Sequence, residues 1–75
     1  MSNELFIINY SGGIYALYID LEKAKSELKN IYNRTPDYKA YGFIINVYNL
    51  DGNEYKNTNV TYMYVFDAFS KNITA

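Results

Sequence analysis

Every strand-like segment of this chain carries apolar or aromatic side chains on both of its alternating faces, whereas a single stretch has the period of a helix. A sheet built from such segments has two faces to shelter, and one helix shelters one of them. The chain is also short: with 75 residues it buries only about 60% of the surface that its unfolded form exposes. It has no Cys and no His, so neither a disulfide nor a structural zinc site is expected to add stability. Self-association is the remaining common means of stabilising so small a domain. With 49% hydrophobic residues, ten Tyr and four Phe, the composition favours pleated sheet and a single α+β domain over residues 1–75.

Residues 4–10 (ELFIINY) form an apolar run that ends at Ser11-Gly12-Gly13, the signature of a strand entering a glycine turn. Residues 14–19 follow as a second apolar run, read most simply as the return strand of an antiparallel hairpin, with a loop leading into the helix as the alternative. Asp20 is placed as an N-cap, Glu22 falls in the first turn, and Leu21, Ala24, Leu28, Ile31 and Tyr32 share one side at spacings of three and four. The helix is therefore expected over residues 21–33. Lys23 and Glu27 can pair across one turn, Lys29 and Arg34 suit the C-terminal end, and Pro36 stops continuation. Residues 41–50 and 54–66 then read as two strands joined at Asp51-Gly52. The expected order is ββαββ, a four-stranded antiparallel sheet with one helix on one face, and residues 70–75 are expected to be a frayed tail.

If Asp51 and Gly52 are the central turn residues, Leu50 faces Asn53, Tyr48 faces Tyr55, Ile45 faces Thr58, Phe43 faces Val60 and Tyr41 faces Tyr62. Tyr41, Phe43, Ile45, Val47, Val60, Tyr62, Tyr64 and Phe66 then share the drier face. The other face takes Ile44, Asn46, Tyr48, Leu50, Tyr55, Asn57, Asn59, Thr61, Met63 and Val65. A helix about 10–12 Å across covers two or three strands spaced about 4.8 Å apart, so the second face stays bare. It also has little charge, unlike a sheet face adapted to water. Tyr48, Tyr55, Ile44 and Met63 are thus the expected anchors of an interface, with Asn46, Asn57 and Thr61 as polar contacts around them. A homodimer is the simplest occupant, and another protein is the alternative.

No group of residues suggests catalysis, a cofactor or a metal. Asp20 and Glu22 serve the helix start, Asp51 belongs to a turn, and Gly12-Gly13 lacks the accompanying residues of a phosphate loop. The net charge of −1 gives no general attraction to nucleic acid or anionic membrane. No uncharged stretch is long enough to span a bilayer and the first residues lack a basic start, so membrane insertion is not expected and an intracellular location is.

Lys39-Ala40-Tyr41-Gly42-Phe43-Ile44 resembles the first ribonucleoprotein motif of the RNA recognition motif family, and Leu5-Phe6-Ile7-Ile8-Asn9 resembles its second. The resemblance implies single-strand binding in which Phe6, Tyr41 and Phe43 stack on bases and Lys39 meets a phosphate. Ala40 and Asn46 depart from the pattern, the four residues Thr35 to Tyr38 leave no room for the family's intervening strand, and the second helix is missing because Asp51-Gly52 turns directly into the last strand. In composition, and in stretches such as IYALYIDLEKAKSELKNIYNR, the whole chain also resembles small accessory proteins of large nucleocytoplasmic DNA viruses. That resemblance implies a virion-associated or host-directed accessory role and carries no site. AT-rich bacterial, phage or protist genomes give the same composition.

Overall fold

The computed structural model describes residues 3–35 and 42–73. Five strands and one helix follow in the order β1 (Glu4–Tyr10), β2 (Gly13–Tyr18), α1 (Leu21–Arg34), β3 (Phe43–Asp51), β4 (Glu54–Val65) and β5 (Ala68–Ile73). The fold is α+β, as composition predicts, but the sheet has five strands and the order is ββαβββ. All neighbours are antiparallel, in the spatial order β2-β1-β3-β4-β5. The helix carries the chain from the β2 edge across β1 to β3.

α1 begins where the sequence places it. The Asp20 carboxylate accepts hydrogen bonds from the backbone amides of Glu22 (2.8 Å) and Lys23 (3.4 Å), which satisfies two of the free donors at the helix start. Ala24, Leu28 and Ile31 are buried against Phe6, Ile8, Ile45, Val47 and Tyr64, and Leu21 and Tyr32 pack at the margins. Aromatic rings widen the cover at both ends of this narrow core. Tyr10 stacks on Phe43 at 4.3 Å, with Tyr15 edge-on to Phe43 at 5.3 Å; Tyr32 and Phe69 pack on Tyr64 at 5.1 and 4.6 Å. Lys25 lays its ammonium over the Tyr62 and Phe69 rings. The ion pairs of the helix are Glu22 with Lys25 and Glu27 with Arg34, in place of the expected Lys23 and Glu27. Arg34 also donates to the Tyr15 hydroxyl at 2.8 Å, which ties the helix end to β2.

The β3–β4 hairpin corrects the expected register. Asp51 pairs with Glu54, so Gly52 and Asn53 are the central turn residues, and only Gly52 has a positive φ of 65°. That is the type II′ arrangement, which needs glycine at its first central position. Leu50 therefore faces Tyr55 and Tyr48 faces Asn57. A bulge at Thr58 and Asn59 then shifts pairing again, to Val47 with Val60 and Ile45 with Tyr62. The bulge is stitched by its own side chains: the Thr58 hydroxyl donates to the Val47 carbonyl (2.8 Å), and the Asn57 side-chain oxygen accepts from the Asn59 amide (2.8 Å). Asn59 adopts φ 62° there and leaves the regular alternation. Each shift is by two residues, so all other side chains keep the face that the simple register assigns.

Phe66 is the exception on the dry face. Phe66 and Asp67 both have positive φ (54° and 59°) and form a two-residue turn, with Phe66 82% exposed. The turn sends residues 68–73 back along β4 as a fifth strand, in place of the expected frayed tail. Phe69 from that strand joins the core.

Leu28→Ala is expected to destabilise the fold by about 2–5 kcal/mol in denaturant titrations, through the cavity it leaves, and Asp20→Ala by about 0.5–2 kcal/mol through the lost cap. The Tyr18 hydroxyl has a raised pKa, first because burial disfavours its anion and then because Glu27 is near. Its contribution to stability is complete below the ordinary tyrosine value of about 10 and is lost as pH rises through the raised value. Tyr18→Phe should therefore flatten the alkaline fall in stability that the parent protein shows.

Candidate interaction surface

The side of the sheet away from α1 is built by alternate residues of all five strands. These are Leu5, Ile7 and Asn9 on β1; Ile14 and Leu17 on β2; Ile44, Asn46, Tyr48 and Leu50 on β3; Tyr55, Asn57, Thr61, Met63 and Val65 on β4; and Ala68, Ser70 and Asn72 on β5. None of these positions holds Asp, Glu, Lys or Arg. Glu4, Asp51, Glu54, Lys56 and Lys71 alternate to the helix side, and the other described charges sit on α1 or in turns. The strands thus segregate charge completely between the two faces.

Polarity on this open face changes from one edge to the other. One row across the sheet runs Leu17, Ile7, Asn46, Thr61, Asn72, from apolar at β2 to polar at β5. Beside it, Ile14 pairs with Asn9 and Asn9 with Ile44. Ile7 is buried to 9% exposure with no described helix or strand above it, at a position flanked by Leu17 and Asn46 on the adjoining strands. Ile14 and Leu17 stand free around it at 66% and 56% exposure. In the middle of the face the Asn46 side-chain amide donates to the Asn9 side-chain oxygen, and Asn9 in turn donates to the Gly13 carbonyl at 3.3 Å. This chain of amides satisfies polar groups laterally, so that an apolar partner laid over them leaves fewer donors and acceptors unpaired.

Tyr48, Tyr55, Ile44 and Met63 all fall on the open face, with Tyr55 half exposed and the others partly buried by their neighbours. Asn46 and Thr61 are directly paired across β3 and β4. Asn57 shares the face, but its side-chain oxygen is engaged in the bulge. The most apolar part of the surface is elsewhere, at Leu5, Ile7, Ile14 and Leu17 of the first hairpin. Only the glycine turn that begins it was visible in the sequence: a two-residue turn at Ser11 and Gly12, both at positive φ, fixes Tyr10 opposite Gly13. A bulge near Tyr15 then aligns Leu17 with Ile7.

The stacking platform suggested by the ribonucleoprotein-like motifs does not assemble as they imply. Phe6 is 4% exposed beneath α1, and Phe43 is half-buried on the helix side between Tyr10 and Tyr15. Phe6 is therefore a core residue, and Lys39 and Tyr41 lie outside the described residues. Among the described residues there is no cavity and no group of three or more potential metal-ligating side chains. No described helix is long and apolar enough to cross a membrane.

Asn9→Ala and Asn46→Ala in a double-mutant cycle should show a coupling of about 0.5–1.5 kcal/mol in unfolding free energy. Additive losses would mean that the amide pair contributes nothing to the face. No family model, curated protein or solved structure matches this chain.

Proposed function

We propose that this chain is a non-enzymatic interaction or structural protein that self-associates through its open sheet face. The observation that carries this reading is the absence of charge from every described position of that face. A face meant for water ordinarily carries Lys, Glu or Arg among its polar positions, whereas interface centres are depleted of charge and rich in aromatic and large apolar side chains. The dimensions are suitable: the two longest molecular extents, 39 and 25 Å, bound any one face at about 1,000 Å², against roughly 800 Å² per partner in a standard interface. A second copy is the partner of matching chemistry, since it brings the same uncharged surface and buries no ion. Tyr48, Tyr55, Ile44 and Met63 anchor this contact together with Leu17 and Ile14, and Asn46 and Thr61 give it polar definition. The compositional resemblance to viral accessory proteins would place such an assembly in a virion or inside a host cell.

Light scattering coupled to gel filtration at micromolar concentration is expected to give at least twice the 8.7 kDa chain mass. Ile44→Arg or Tyr48→Arg should return the protein to monomer, because each buries an unpaired charge at the contact. Since no charge lies on the face, the assembly should persist from about 50 mM to 1 M NaCl, a range over which ion pairs are progressively screened. A clean monomer whose solubility Ile44→Arg leaves unchanged would refute the reading.

A further inference from the structure

We infer that the outer edge of β2 pairs antiparallel with β2 of a second copy, a contact separate from the one across the open face. The sheet ends in two edge strands, β2 and β5, and among the described residues no further strand or backbone hydrogen bond meets the outer side of either. Edge strands of soluble proteins are ordinarily protected by lysine, proline, inward charge or an overlying element. β5 carries Lys71 together with Ser70 and Asn72. β2, with the sequence GIYALY, carries no charge and no proline. Among the described residues its protective features are the bulge near Tyr15, beyond which Ala16, Leu17 and Tyr18 pair regularly with β1, and the Arg34 guanidinium held on the Tyr15 hydroxyl on the helix side. Ile14, Tyr15, Leu17 and Ile19 are all exposed, so this edge is apolar on both sides of the strand.

The occupant follows from the chemistry of the strand. Sites that add a peptide strand read it through pockets for its alternate side chains, and the described residues form no cavity beside β2. An edge whose own residues are uncharged, and regular from Ala16 to Tyr18, suits an equally uncharged strand, which a second β2 supplies. A two-fold pairing centred on Leu17 is sterically matched. Leu17 meets the partner's Leu17 on the open face, and Ala16 meets the partner's Tyr18 on the helix side, small against large. The two-fold axis of such a pair runs normal to the sheet. Both helices then lie on one side of a continuous sheet and both open faces on the other, where two such pairs can close face to face into a tetramer. The inference shares with the preceding reading only the choice of a second copy as partner.

Because the chain has no Cys, a single engineered thiol reports on this contact. Directly opposed residues of antiparallel strands have Cα atoms about 4.5–5.5 Å apart, within the range of about 4.4–6.8 Å that a disulfide spans. Oxidation of L17C should give a disulfide-linked dimer at least tenfold faster than oxidation of S70C, whose site is on the other edge strand. L17C placed in an Ile44→Arg background, which removes the face contact, should still cross-link at that rate. Linking of L17C no faster than S70C overturns the edge contact and leaves the face reading standing if light scattering still shows dimers. Loss of cross-linking in the Ile44→Arg background also overturns it, since the thiols would then have met across the open face.

Discussion

One fourteen-residue helix is set against five strands, and that disparity in width governs the molecule. With strands about 4.8 Å apart, five span about 19 Å between the outer axes, nearly twice the breadth of a helix with its side chains. The fully buried residues Ile8 and Ile45 of the sheet and Leu28 and Ile31 of α1 accordingly form a narrow strip between helix and sheet. Away from that strip, cover comes from rings: Tyr10, Tyr15 and Phe43 on one flank, and Tyr32, Tyr64 and Phe69 on the other. The high tyrosine content has a structural cause here, because a tyrosine shields apolar area with its ring while its hydroxyl stays wet.

The same disparity explains where the charges are. The helix side is crowded but open at its rim, and long charged side chains can cover apolar surface there while their heads reach water. Lys25 over Tyr62 and Phe69 does this, as does the Glu27, Arg34 and Tyr15 network beside β2. The opposite face has no helix to frame and carries none of these groups. Its polar residues are amides and hydroxyls, of which Asn9 and Asn46 bond sideways within the sheet. A surface that excludes ions and pairs its central amides laterally is chemically suited to being covered, which links the strand pattern to association.

Much of this was legible in the chain. The helix, its Asp20 cap and its buried stripe followed from period and capping chemistry, and the two faces of the β3–β4 hairpin sorted correctly although the register did not. That robustness is physical: the II′ turn and the two-residue bulge each displace pairing by an even number, and a period of two ignores even shifts. The fifth strand was hidden because its turn is made by Phe66 and Asp67, which carry none of the glycine or asparagine signals of a left-handed turn. The strand order was equally hidden, since no local pattern tells β1 to insert between β2 and β3. The ribonucleoprotein-like motifs misplaced Phe6 because a short apolar string does not encode which face a helix will cover. Within the candidate surface, the contribution of Leu17 and Ile14 depends on the bulge near Tyr15, which residue types alone do not announce.

The account rests on an open face that is stable when another copy covers it, so folding and association should be one equilibrium. Thermal unfolding measured across a hundredfold range of protein concentration tests this directly. The midpoint should rise by roughly 5–10 °C from the most dilute to the most concentrated sample, as mass action requires of a dimer this small. A midpoint independent of concentration, in a sample that unfolds reversibly, would show that the face is content in water and would contradict the account.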